Sequence, residues 1–322
     1  FTKSYDSIRK MPIKLGGALF LDKSDLYSLE GNYNLSHLTG KWVDMLIGGS
    51  YKQYVLNSGG TLFADSIDRI KISEYGAYMQ LSRKILNRVH LTVSGRYDKN
   101  ENFKGRVTPR ATALIKIKEN NNFRLSYQTA YRFPSNQQQF INLAVGSNVY
   151  LIGGNPGFRE YYNFAAKPVY DFDALRAGNI VAFNPQNLKP ESLSSFEGGF
   201  KGLMMKGKLL VDVYGYYGTY KDFLGRKVTV QSSGAAIALG DTLNGRRLSI
   251  PVNSTDKVKT YGFGLSIDYR LPWNFTIGAN VASDVLKDVP ATFVAYFNAP
   301  KYKANVNLGN SGFGPGKRLG FN

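Results

Sequence analysis

Cysteine is missing from this 322-residue chain, and His37 and His90 are its only histidines. The first absence excludes disulfides, thiol catalysis and Cys-ligated metals. Long apolar runs are missing too: none approaches the roughly 18–20 residues that a membrane-spanning helix requires. No segment reads as a helix with a 3.6-residue period and proper caps. Residues 1–24 begin at Phe1 without Met and lack a charged n-region followed by an apolar h-region, so the start reads as the interior of a longer protein. The formal net charge of +18 raises nucleic acid or an anionic surface as partner. The positive residues are scattered with no Lys/Arg-rich run, however, and no nucleic-acid partner is expected.

Catalytic constellations are missing as well. Neither histidine belongs to a helical H-E-x-x-H pair, so no metal is expected. The turn cluster Gly153-Gly154-Asn155-Pro156-Gly157 is not followed by Gly-Lys-Ser/Thr and is no phosphate loop. Ser194 and Ser195 have no matching base nearby in sequence. The chain reads as no enzyme and implies no cofactor.

What is present is a two-residue rhythm. Val89, Leu91, Val93, Gly95 and Tyr97 alternate with His90, Thr92, Ser94, Arg96 and Asp98. Successive side chains of a strand point to opposite faces, so one face is apolar and the other polar. The pattern predicts strands at 25–36, 43–55, 72–84, 88–98, 106–117, 122–132, 193–204, 208–221, 259–270, 274–285 and 300–309, with a twelfth beginning near Lys317. The apolar sets include Tyr75/Ala77/Met79/Leu81, Phe123/Leu125/Tyr127 and Tyr261/Phe263/Leu265/Ile267. The opposite faces carry Glu30, Asp44, Arg110, Arg124, Glu197, Lys201, Asp212 and Asp268. Apolar outside and charged inside is the pattern of an antiparallel transmembrane β-barrel. Asp212 and Asp268 are expected to pair with cations of neighbouring strands or a plug. Pro109 is awkward within a central strand, which predicts a bulge or a broken ladder there.

The connections alternate in length. Short ones fall at 36–41, 86–87, 118–121, 205–207 and 271–272; long ones fall at 56–71, 133–192, 222–258 and 286–299, with 99–105 a shorter member of that set. Barrels of outer membranes keep short turns on the periplasmic rim and long loops outside. Trp273, Phe275 and Phe123 sit beside short turns, while Tyr51, Tyr97, Tyr131 and Tyr217 sit toward long ones, as girdles at the two membrane boundaries would. The 133–192 connection holds seven aromatic residues from Tyr150 to Phe172. Aromatics are rare in disordered segments, so it is expected to be folded over the barrel mouth.

Three segments carry a family resemblance: Tyr131-Arg132-Phe133-Pro134-Ser135 with Asn136-Gln137-Gln138-Gln139-Phe140; Asn187-Leu188-Lys189-Pro190-Glu191-Ser192 with Phe196-Glu197-Gly198-Gly199-Phe200-Lys201; and Tyr217-Gly218-Thr219-Tyr220-Lys221-Asp222-Phe223. In this order they resemble the barrel of TonB-dependent outer-membrane receptors. The triple glutamine and the stretch from Arg96 to Arg110 resemble receptors of the Bacteroidota type. The resemblance implies a barrel of about 22 strands, of which about twelve are present, so residues 1–322 read as a partial barrel domain without plug domain or TonB box. A complete barrel of about twelve strands is the alternative.

The resemblance implies an importer that binds a scarce nutrient and draws on TonB-coupled energy. A passive pore or a non-transport barrel subunit of an envelope complex is the alternative. Implied partners are outer-membrane lipid and lipopolysaccharide, the TonB complex through the missing N-terminal region, and a small ligand of unknown identity. A surface lipoprotein is a further possible partner, although Asn187-Leu188-Lys189-Pro190-Glu191 departs from the form common in glycan importers that carry such a lid. The ligand-binding candidates are Arg96, Arg110 and Arg132 near the outer rim, where a guanidinium suits carboxylate or phosphate. Tyr161 and Tyr162 are added as rings able to stack on a ligand. For each, an ion pair within the barrel or packing within the loop is the competing role.

Overall fold

The structure is a computed structural model that describes residues 2–40, 42–146, 148–232, 237, 245–290, 301–310 and 319–321. Eighteen strands follow one another among these residues: β1 (Asp25–Asn34), β2 (Asp44–Leu56), β3 (Ile70–Ile85), β4 (Val89–Asn100), β5 (Arg106–Lys118), β6 (Asn121–Arg132), β7 (Asn142–Gly146), β8 (Val149–Ile152), β9 (Val169–Asp171), β10 (Ala182–Phe183), β11 (Glu191–Met204), β12 (Leu209–Lys221), β13 (Leu224–Gln231), β14 (Arg246–Asn253), β15 (Val258–Arg270), β16 (Phe275–Lys287), β17 (Lys301–Asn310) and β18 (Leu319–Phe321). Twelve of them form one antiparallel sheet in the order β1-β2-β3-β4-β5-β6-β11-β12-β15-β16-β17-β18. These are the twelve strands expected from the rhythm. The sheet is open, with β1 and β18 as its edges.

Pairing between chain neighbours aligns the apolar faces into rows across the wall. Ala111, Tyr127, Phe196, Tyr217, Tyr261 and Val285 stand in register on six successive strands. Nearer the short turns, Ile115, Phe123, Phe200, Val213, Leu265 and Val281 form a second row. Ring pairs tie strands within each row: Tyr127 and Phe196 lie 4.6 Å apart, Phe123 and Phe200 5.2 Å. Six of these twelve side chains are exposed on the wall's apolar face, and the other six are half-buried between their neighbours. On the polar face, charges pair across strands, with Arg124 3.2 Å from Glu197 and Lys201 3.1 Å from Asp212. Tyrosines there lie flat on cross-strand glycines. A Cβ on Gly264 would fall inside the ring of Tyr214, its register partner, so only glycine leaves that space.

Pro109 does not carry a bulge. It pairs regularly with Gly95 of β4, but the ladder between β5 and β6 begins only at Arg110 opposite Gln128. The proline nitrogen has no hydrogen to donate, and toward the long-connection rim the two strands part. The register shift of β5 lies instead between Lys116 and Lys118. Past this parting Tyr131 leaves the expected girdle and lines a polar recess with Arg96 and Asp98.

Two expectations need correction. Helices are present: Thr2–Lys10, Asn136–Phe140, Gly157–Tyr161 and Phe172–Arg176 among them. Ser135-Asn136-Gln137-Gln138 is a capping box, and it was legible as Ser-x-x-Gln. The 222–258 connection is also not a mere loop: it folds together with the 133–192 connection, which is structured as its aromatic residues predict. They supply a second, six-stranded sheet in the order β10-β9-β13-β14-β8-β7. Its β14–β8 pair is parallel, which joins the two connections into one cap. The cap has a closed core of Ile152, Phe158, Tyr162, Val169, Leu248 and Ile250. A second core joins it to the 56–71 connection through Leu56, Leu62, Phe63, Ile72 and Ile141.

Candidate functional site

The three motif segments meet where the cap joins the wall. Arg132 ends β6, and its Nε donates to Glu191 Oε1 at 2.9 Å. Glu191 opens β11, and its second oxygen accepts the backbone N–H of Leu224, the first residue of β13, at 2.9 Å. One buried carboxylate therefore fastens two wall strands to a cap strand. Asn253, at the end of β14, closes the same joint. Its Nδ2 donates to the carbonyls of Lys189 (2.9 Å) and Asp222 (2.7 Å), and its Oδ1 accepts the N–H of Lys189 at 2.8 Å. Phe223 is buried against Val258, with Tyr220 edge-on at 5.2 Å.

The glutamine segment makes a second joint. Gln138 completes the capping box with Ser135. Buried Gln139 donates to Pro134 O at 2.7 Å and accepts from Asn102 at 2.9 Å. Asn102 in turn bonds fully buried Asn100 by its N–H, and Asn100 donates to Glu74 at 2.7 Å. Buried polar groups hold a unique arrangement only when satisfied, and this chain of four is continuous from β3 to the cap.

Within the cap, the Tyr162 hydroxyl donates to Asn142 at 2.7 Å. Burial pushes that hydroxyl's pKa up. Gln231 donates to the carbonyls of Tyr162 (2.7 Å) and Lys167 (2.9 Å). The Arg246 guanidinium lies over Tyr150 at 5.3 Å and Tyr162 at 5.8 Å. Asp171 caps the helix Phe172–Arg176 through the N–H groups of Asp173 and Ala174, and it also pairs with Lys227. Burial pushes the Asp171 carboxyl up, but Lys227 and the two N–H groups outweigh it and hold the carboxyl below its ordinary value.

The five candidate ligand residues do not share one cavity. Arg96 lines a polar recess of about 310 Å³ with Ser50, Lys52, Glu74, Asp98 and Tyr131, where the wall strands part. Its guanidinium is held by Asp98 at 2.7 Å and by Ser50 at 2.9 Å. Arg132 is committed to Glu191, and Tyr162 is buried in the cap core. Tyr161 stands exposed beside it, with ring centroids 5.0 Å apart. Arg110 is exposed and forms no ion pair among the described residues. Arg110 and Tyr161 are thus the two candidates left open to a ligand. The sequence reading did not pick out Glu191, Asn100 and Asn253; the first two lie within the segments that carry the resemblance, and Asn253 stands outside them with no signal of its own. Among the described residues no three or more His, Asp or Glu side chains are grouped to hold a metal.

A family model described as TonB dependent receptor-like, beta-barrel, matches residues 14–321. The fold is similar to the siderophore receptor PirA from Pseudomonas aeruginosa, with 15% identity and a TM-score of 0.62, over 93% of this chain and 46% of that one. It is similar to the FrpB iron transporter from Neisseria meningitidis, with 14% identity and a TM-score of 0.58, over 92% and 42%. The copper transporter OprC aligns with 15% identity and a TM-score of 0.51, over 90% and 41%. The chain therefore spans less than half the length of these structures. No curated protein matches its sequence.

Proposed function

Because this chain belongs to the TonB-dependent receptor-like β-barrel family, we propose that it is about half of the wall, with part of the extracellular cap, of an active importer for a scarce small ligand. Barrels of this family are outer-membrane transporters, not enzymes, and the exposed apolar rows of the sheet are its lipid-facing surface. On this reading residues 1–322 are one partial barrel domain, and the rim of long connections faces outward. A plug carried elsewhere in the protein fills the polar face and is pulled by the TonB complex.

The observation that carries the reading is the joint of Arg132, Glu191 and Leu224. It fixes a folded cap to the outer rim, and a passive pore has little use for a cap held by buried polar bonds. Arg110 and Tyr161 are the residues we assign to ligand contact, with Arg96 and Arg132 as supports of the wall and Tyr162 as support for Tyr161. Outer-membrane lipid and lipopolysaccharide surround the wall, and a surface lipoprotein is an additional possible partner. Three structural neighbours carry names that refer to siderophores, iron or copper, which makes chelated iron the first cargo to try.

The test is uptake of radiolabelled ferric siderophore by cells that express the full-length protein, with and without an uncoupler. Accumulation that collapses with the uncoupler while surface binding persists supports the importer. Accumulation indifferent to the uncoupler favours a passive pore, and recovery of the protein outside the outer membrane sinks both.

A further inference from the structure

The fold brings a set of cations that are scattered along the sequence together at the short-turn rim. The short connections all lie at the same end of the wall, and each sets exposed cations beside a large exposed apolar side chain. Arg83 lies over the ring of Trp42 at 5.8 Å. Lys84 and Arg88 flank Leu86, and Lys116 and Lys118 flank Ile117. Lys206 and Lys208 follow Met205, and Arg270 precedes Trp273. None of these cations forms an ion pair among the described residues. The opposite rim is mixed: Lys189 and Lys259 each face a carboxylate there, while Lys71, Lys104, Lys221 and Lys257 are exposed and form no ion pair among the described residues.

The apolar partners are not where turn chemistry alone would put them. Leu86, Met205 and Trp273 hold φ of +49°, +51° and +58°. Tight hairpin turns give such positions to Asn, Asp or Gly, and a bulky residue there is a genuine outlier. Trp273 is 86% exposed and Leu86 87%. Both tryptophans of the chain, Trp42 and Trp273, lie on this rim. An indole or an aliphatic chain beside an unpaired cation suits a membrane boundary, where the apolar part enters lipid and the charge meets phosphate. A soluble acidic protein would match the charges but leave these exposed apolar side chains uncovered.

We propose that the short-turn rim is a binding surface for anionic phospholipid headgroups of the adjoining membrane leaflet, a role that rests on the wall being a membrane barrel. Arg83, Lys206, Lys208 and Arg270 take the phosphates, while Trp42, Met205 and Trp273 anchor beside the acyl chains.

The test places the full-length protein in phosphatidylcholine bilayers that carry spin-labelled phosphatidylglycerol or spin-labelled phosphatidylcholine, and compares the motionally restricted fraction of each. The glycerol lipid is expected to be preferred roughly fivefold, in line with the attraction of a single Lys or Arg at a membrane surface. The preference should approach unity in the Arg83→Gln, Lys206→Gln, Lys208→Gln, Arg270→Gln variant. It should also do so for the native protein in about 1 M salt, where screening reaches about 3 Å. A control with Lys71, Lys104, Lys221 and Lys257 changed to Gln at the other rim should keep it. Equal restriction of both lipids around the native protein overturns the proposal, as does equal loss in the control. Binding of polyglutamate at the short-turn rim without lipid preference also overturns it and assigns an acidic protein. Failure to insert at all, seen as absence of heat-modifiable gel mobility, sinks the barrel reading instead.

Discussion

The wall and the cap solve the same problem of apolar area in opposite ways. Leu29 on the wall is 73% exposed, while Leu248 in the cap is 0% exposed. In the cap, the chain covers its own apolar side chains, and the strands there carry continuous burial, as in β14. On the wall the covering must come from outside the chain. The wall's cohesion therefore rests on its ladders and cross-strand rows, and its apolar face is stabilised only in lipid. The cap is held by a core that water itself drives together.

That contrast can be broken from either side. The largest expected effect is in the cap. Leu248→Ala should cost about 2–5 kcal/mol, read as protease cleavage within 222–258 while the heat-modifiable mobility of the wall persists. Loss of both together would show that cap and wall are one cooperative unit. On the wall, Leu91→Arg should impair insertion by about 2–4 kcal/mol if it lies near the midplane. Thr92→Arg, on the other face, should be far milder, and equal tolerance of the two would contradict the assigned faces. At the joint, Glu191→Ala leaves the Leu224 N–H and Arg132 unpaired. About 1–3 kcal/mol is expected, seen as faster amide exchange at the start of β13 with the β11–β12 ladder unchanged.

The smallest effect is a pH dependence in the cap. The Asp171 carboxyl is held below its ordinary value, so its contribution is fully present above the unfolded carboxylate pKa. It is lost as pH falls through the lower folded value. Amide protection of the helix Phe172–Arg176 should weaken in that acid window and not above it. Asp171→Asn should remove the dependence.

The wall was legible because its signal is local. A period of two survives in any strand that has one face in lipid, and neighbours in sequence are neighbours in the sheet. The cap was not legible for the reverse reason. β9 and β10 have three and two residues, too few for a period to show. β14 hides behind Pro251, which argues against a strand yet pairs with Arg226 and is fully buried. Thr229 and Ser249 occupy core positions, so polarity misleads there as well. Of the candidate site, the motif residues were legible as a family mark but not as a joint, since residues 132, 191 and 224 meet only through tertiary structure. Tyr162 and Tyr161 are adjacent in sequence, and nothing local distinguishes the buried ring from the open one.

The parallel pairing of β8 with β14 also sets an order of assembly. Arg247 lies opposite Val149, and the chain between them includes two full wall strands, β11 and β12. The short-turn hairpins of the wall close over a few residues, and such loops form quickly; β6 with β11, β12 with β15 and β8 with β14 all wait on longer closures, the last the longest of the three. The short-turn hairpins therefore zip before the cap can lock. During that interval the halves of the cap core, Ile152 on one connection and Leu248 on the other, stand apart and uncovered. A chaperone that shields this barrel in transit has the most to protect at the very segments that end up best buried.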